Sequence, residues 1–112
     1  MKLVEKIITI PELEEMSQKM GGLVKAVVDI EQELMVVDAD LHADQEKFLL
    51  EQGSNQDNLW GINLYPTIEG EDFIEFDSMI NVRPRLKNMS RGVENQELQN
   101  KIRTIVNKLV QK

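Results

Sequence analysis

The run Leu23-Val24-Lys25-Ala26-Val27-Val28-Asp29-Ile30 is followed, after Glu31-Gln32, by Glu33-Leu34-Met35-Val36-Val37-Asp38-Ala39-Asp40-Leu41, and this pair decides the reading of the fold. Both runs are rich in β-branched and apolar residues, and Glu31-Gln32 between them is short enough for a tight turn. They read as an antiparallel hairpin, with Val24, Ala26, Val28 and Ile30 on one face of the first strand. The turn lacks the Asn-Gly or Asp-Gly pair that usually closes such a hairpin.

Upstream, residues 3–8 read as a short strand. Thr9-Ile10-Pro11-Glu12 then has the form of a capping box, with proline in the first helical turn, where its missing N–H costs nothing. Leu13, Met16 and Met20 form the buried stripe of that helix, and Gly21-Gly22 ends it. Downstream, a helix is expected from about Asp44 to Gln52, anchored by Phe48 and Leu49 and stopped by Gly53. A strand follows over 59–65, with Trp60, Ile62 and Leu64 on one face. Residues 73–83 alternate Ile74, Phe76, Ser78, Ile80 and Val82 with polar neighbours and predict the longest strand of the chain. A polar loop over 84–92 leads to an amphipathic helix from about Asn95, carrying Leu98, Ile102, Ile105, Val106 and Leu109 on one stripe. The order β-α-β-β-α-β-β-α defines one α+β domain over residues 1–112, with a mixed, mostly antiparallel sheet packed by helices.

With 112 residues, 41% of them apolar and 29% charged, the composition is that of a globular domain able to bury a core unaided. There is no cysteine, hence no disulfide and no thiolate chemistry. The chain has no signal-like N-terminal pattern and no apolar run near the roughly 18 residues of a membrane helix, so a cytoplasmic location without membrane contact is expected. The net charge of −7 disfavours nucleic-acid binding by the surface as a whole. That charge is unevenly distributed. Residues 83–112 hold 8 basic side chains against Glu94 and Glu97, while residues 1–82 hold 5 basic and 18 acidic ones. Such a partition is satisfied either inside the chain, by one half lying against the other, or by a charged partner or a second copy.

Three groups of residues offer chemistry. The loop residues Arg83, Arg85, Asn88, Ser90 and Arg91 combine planar guanidinium donors with small polar side chains, a set suited to an anion or a partner. The same arginines are equally suited to pair with acidic residues such as Glu75 and Asp77 on the preceding strand. The only histidine, His42, lies among Asp40, Asp44 and Glu46; on a strand, Asp38, Asp40 and His42 would share a face, as acid/base groups or metal ligands. One histidine is few for a transition-metal site, and Asp40 or Asp44 would serve as well to cap the following helix. Trp60 has the phase of a core residue, whereas Asn63 and Tyr65 face the other way. No phosphate-cradling glycine loop, dinucleotide fingerprint or nucleophile elbow is present, and no cofactor is expected.

Several stretches carry a family resemblance: Val24-Lys25-Ala26-Val27-Val28-Asp29, Leu41-His42-Ala43-Asp44, Asn58-Leu59-Trp60-Gly61-Ile62-Asn63-Leu64-Tyr65-Pro66, and Phe76-Asp77-Ser78-Met79-Ile80-Asn81-Val82-Arg83-Pro84 with Asn88, Ser90 and Arg91 beyond. In these the chain resembles a prokaryotic family of small uncharacterised proteins, the domain of unknown function DUF5674. The resemblance implies kinship and no particular chemistry. It also implies a small, glycine-containing run between Pro84 and Asn88, where this chain has Arg85-Leu86-Lys87.

The leading functional expectation is a non-catalytic binding or interaction module. Its basic loop would meet an anionic ligand, a partner or another copy of the chain in a homo-oligomer. The alternative is a small enzyme using His42 with Asp40, Asp44 or Glu46. Nucleic-acid binding through Arg83, Arg85, Arg91 and the last helix is the weakest of the three.

Overall fold

The computed structural model describes residues 1–112. The central hairpin is present as β3 (Val24–Asp29) and β4 (Leu34–Val37), paired so that Val27 faces Val36. The Asp29 side chain closes it, which is why no Asn-Gly turn is needed. Its Oδ1 accepts from the N–H of Glu31 and Gln32, and its Oδ2 accepts from Gln32 Nε2 and from the Ser54 hydroxyl. Glu33 completes the turn in the left-handed region at φ 57°. The connection is therefore four residues, 30–33, rather than two.

The hairpin extends on both sides into a five-stranded antiparallel sheet of order β1-β4-β3-β5-β6, with β1 at Lys2–Val4, β5 at Leu59–Leu64 and β6 at Ile74–Glu75. The expected first strand over 3–8 divides in two. Lys2–Val4 joins the main sheet, and after a break at Glu5–Lys6 the residues Ile8–Thr9 form β2. This strand pairs in parallel with β7 (Val110–Gln111), a strand that follows directly on the last helix. Only a partner 102 residues away specifies it, and no local pattern reports that partner.

Helix α1 (Ile10–Ser17) starts at the expected capping box. The Thr9 hydroxyl accepts from the Glu12 N–H, and the Glu12 carboxylate accepts from the Thr9 N–H at 3.2 Å. A short 3-10 turn over Gln18–Met20 continues it to Gly21 at φ 69°. Helix α2 (His42–Glu51) begins two residues earlier than expected, and α3 (Gln96–Leu109) begins one residue after its Asn95 cap. Helices α1 and α3 cover one sheet face, where Leu13, Ile102, Ile105, Val106 and Leu109 pack with Val24, Ala26, Val28, Trp60, Ile62 and Leu64. Helix α2 covers the opposite face through Leu49, against Val27, Val36 and Leu59. These are the faces that strand alternation predicts.

The long strand expected over 73–83 is corrected. Only Ile74–Glu75 pairs, with Leu64 and Asn63. Beyond Glu75 the backbone leaves the ladder and coils into 3-10 turns at Met79–Asn81 and Pro84–Leu86. The physical reason lies in three buried polar side chains that replace backbone partners. Ser78 Oγ accepts from the Ile80 N–H and starts the first turn. Asn81 carries the edge of β5, and its carboxamide bonds both backbone groups of Gly61. Gly61 is required there, because a Cβ would stand 2.5 Å from Ser78 Cβ. Asn88 draws in the loop that follows.

Candidate functional site

The loop that follows is folded tightly on itself. Arg83 and Asn88 exchange backbone hydrogen bonds of 2.8 and 3.2 Å. The buried Asn88 Nδ2 donates to the carbonyls of Asn81, Ser90 and Gly92, and its Oδ1 accepts from the Glu94 N–H. The Glu94 carboxylate in turn accepts from the N–H groups of Met89 and Ser90 at 2.7 Å each, which hold it below the usual carboxylate range. Asn88 is thus a structural staple, and Ser90 Oγ accepts locally from the Gly92 N–H.

The turn places Lys87 in the left-handed region at φ 61°, within the run that the family resemblance implies to contain glycine. Lys87 is exposed, so backbone strain dominates any change there. Replacing it by glycine relieves a cost of about 1–2 kcal/mol and loses part of that to greater unfolded-state freedom. Lys87→Gly is therefore expected to stabilise the fold by about 0.5 kcal/mol, read as a higher urea midpoint at unchanged slope. A lower midpoint would show that the lysine side chain supports the turn.

The three arginines of the loop have different fates. Arg83 is 7% exposed, pairs through Nη2 with Glu46 Oε2 at 2.9 Å, and lies over the Trp60 ring at 5.0 Å. Burial depresses its pKa below the ordinary arginine value, against the pull of Glu46. Arg85 is exposed and pairs with Asp57. Arg91 is exposed, and its Nε donates to Asp77 Oδ1 at 2.7 Å. With Lys108–Glu33, four ion pairs join residues 83–112 to the acidic remainder of the chain. The two halves lie against each other, and much of the charge partition is satisfied internally.

His42 is the first residue of α2 rather than the end of a strand, so Asp38, Asp40 and His42 do not share a strand face. β4 ends at Val37 because Asp38 turns into the left-handed region at φ 66°. His42 is 7% exposed, and its ring Nε2–H donates to the Ile62 carbonyl at 2.8 Å. Burial holds its pKa below the usual histidine range, and the positive charges of Lys25 and Arg91 push the same way; the Ile62 carbonyl and Asp77 oppose them. Glu46 is turned to Arg83, Asp40 and Asp44 are exposed, and no three of the chain's acidic or histidine side chains are arranged to hold a metal ion. Trp60 is a core residue, while Asn63 Nδ2 and the Tyr65 hydroxyl both donate to Glu75 Oε1.

A histidine whose folded pKa lies below its unfolded value, about 6.5, makes stability pH-dependent. The unfolded chain then binds the proton more readily, so His42 contributes its full stability above that value and loses it as the pH falls towards the folded pKa. Urea unfolding at pH 7.5 and pH 5.5 is expected to show this loss, and His42→Gln to flatten the profile in that window. An unchanged slope in the variant would assign the loss to other groups.

Sequence reasoning missed a small cleft of about 170 Å³ between the start of α2 and residues 78–80. Lys25, His42, Ser78 and Arg91 line it, with Leu41 and Met79, both more than half exposed, among its apolar residues. The signal for Lys25 was present in strand alternation, which sets it on the face opposite Val24 and Ala26. Ser78 was hidden by the false strand. A larger open groove of about 760 Å³ runs between the 84–88 turn and the start of α3, but there Lys87 and Lys101 are matched by Asp57, Glu94 and Glu97.

The fold and this cleft define a small α+β domain with helices on both faces of an antiparallel sheet and a cationic recess at one helix start. The chain belongs to the family of proteins of unknown function DUF5674, whose model matches residues 2–109. No curated protein and no solved structure matches it significantly. The stretches that carry the family resemblance supply every residue lining the cleft.

Proposed function

We propose that this protein is a non-catalytic binding module that takes up an anionic group of a ligand or partner at the Arg91 side of its basic loop. The observation that carries the reading is that Arg91 commits only Nε to Asp77, while its terminal amino groups make no hydrogen bond within the chain. An exposed pair of this kind contributes at most about 1 kcal/mol and exchanges readily for a better acceptor. Arg85, in an exposed pair with Asp57, is the second exchangeable cation. Arg83 and Asn88 serve the reading indirectly, by fixing the loop.

The geometry does not favour the enzyme alternative, because His42 and Glu46 are directed to different partners, Ile62 and Arg83. Nor does it call for a second copy of the chain, since the opposed charges meet within one. No helix is long and apolar enough to cross a membrane.

The test is amide chemical-shift mapping with polyglutamate and polyphosphate at low and high salt. Shifts centred on residues 85–92 that fade with salt, and that vanish when Arg85→Gln and Arg91→Gln are combined, are expected. Absence of any localised shift at low salt would overturn the reading.

A further inference from the structure

Donors from three parts of the chain converge at the start of α2. The first-turn N–H groups of His42 and Ala43 have no intrahelical acceptor, and no side chain caps this ten-residue helix. Lys25, from β3, lines the same cleft and makes no ion pair within the chain. Arg91 adds its two terminal amino groups. The Ser78 hydroxyl accepts from Ile80 and donates to nothing in the chain, which leaves its proton for a ligand.

His42 makes the second, independent argument. The residue is 7% exposed and lines the cleft. Nε2 is committed to Ile62, so in the neutral ring Nδ1 carries a lone pair with no partner. Nδ1 is not fully enclosed by the protein, so a donor from outside the chain can reach it. A ligand that presents several acceptor oxygens to the cations and N–H groups, and one O–H to Nδ1, matches the whole set. Carboxylate and sulfate near neutral pH offer the first and not the second. A singly protonated phosphate offers both.

We infer that this cleft binds a phosphomonoester group, the ligand class that the anion-binding reading above leaves open. At about 170 Å³ the cleft is smaller than the roughly 300–1,000 Å³ of pockets that enclose whole small molecules. It holds the terminal phosphate of a larger molecule, whose body lies over Leu41 and Met79. The charged groups acting on the histidine ring are Lys25 from β3, Arg91 from the loop and Asp77 from the segment after β6. A phosphate that hydrogen-bonds Nδ1 favours the protonated assembly, so binding tightens as the pH falls towards 6.

Because His42 is the only histidine, its ring resonances report on the cleft without ambiguity. Inorganic phosphate is titrated against sulfate at pH 7, followed by glycerol phosphate and a short phosphoserine peptide, which distinguish a small-molecule from a protein source. Phosphate is expected to shift the ring saturably and to raise its pKa. Sulfate should bind more weakly, and Arg91→Gln or Lys25→Gln should each weaken phosphate by about tenfold. Equal binding of sulfate and phosphate, or a response that survives both substitutions, would overturn the phosphate assignment. So would the absence of any saturable shift. If polyglutamate still shifts the loop amides in that case, the coarser anion-binding reading stands; if it does not, both fall.

Discussion

Replacing Asn81 by alanine is expected to cost about 4 kcal/mol, a large share of the roughly 5–15 kcal/mol that holds a domain of this size together. The register that sets Asn63 opposite Glu75 would bring Asp77 opposite Gly61 if β6 continued. It does not continue, and the fully buried Asn81 side chain takes that place. Its Oδ1 accepts from the Gly61 N–H at 2.8 Å; its Nδ2 donates to the Gly61 carbonyl and to the Arg91 carbonyl, each at 2.9 Å. Alanine leaves both backbone groups of Gly61 without partners, each costing about 1–3 kcal/mol with partial relief by water, and takes one of two donors from the Arg91 carbonyl, which keeps the Ser78 N–H. Asn81→Asp is expected to be no better, because it sets a carboxylate against two carbonyl oxygens. Urea unfolding followed by Trp60 fluorescence measures the loss. A loss under about 1 kcal/mol would mean that the β5 edge finds other partners.

Glu46→Ala is the second large effect, with an expected loss of about 3–5 kcal/mol. It leaves the Arg83 guanidinium buried over Trp60 without its counter-ion, while Nη1 already lacks a hydrogen-bond partner. The damage comes from the stranded charge more than from the lost attraction, so removing both charges should repair most of it. The double variant Glu46→Leu with Arg83→Met is expected to recover to within about 1–2 kcal/mol of the parent. If the double variant is as unstable as Glu46→Ala, the pair itself and not the stranded cation is what stabilises the loop.

The two cases bear on how much of this protein can be read from its residues in order. The capping box at Thr9–Glu12 and the stripe on α3 were legible because both depend on contacts within a turn or two of helix. The hairpin was legible from its two apolar runs, although its closure by Asp29 was not. The strand over 73–83 was misread because alternation reports only which side chains are apolar. It does not report that Ser78 and Asn81 satisfy backbone groups of another strand. Likewise, three arginines close in sequence suggest one site, yet one is buried, one lies beside Asp57 and one faces the cleft with His42.

By itself, the amino-acid sequence determined the α+β class, the positions of the three helices and the central hairpin, and the family kinship. All of these rest on local periodicity or on short contiguous stretches. Tertiary structure alone decided that β2 pairs with β7, that Asn81 serves as a surrogate strand, and that Lys25, His42, Ser78 and Arg91 share one recess. Each of these depends on which distant residue supplies the missing hydrogen bond or the opposing charge. That choice is settled only when the whole chain has packed.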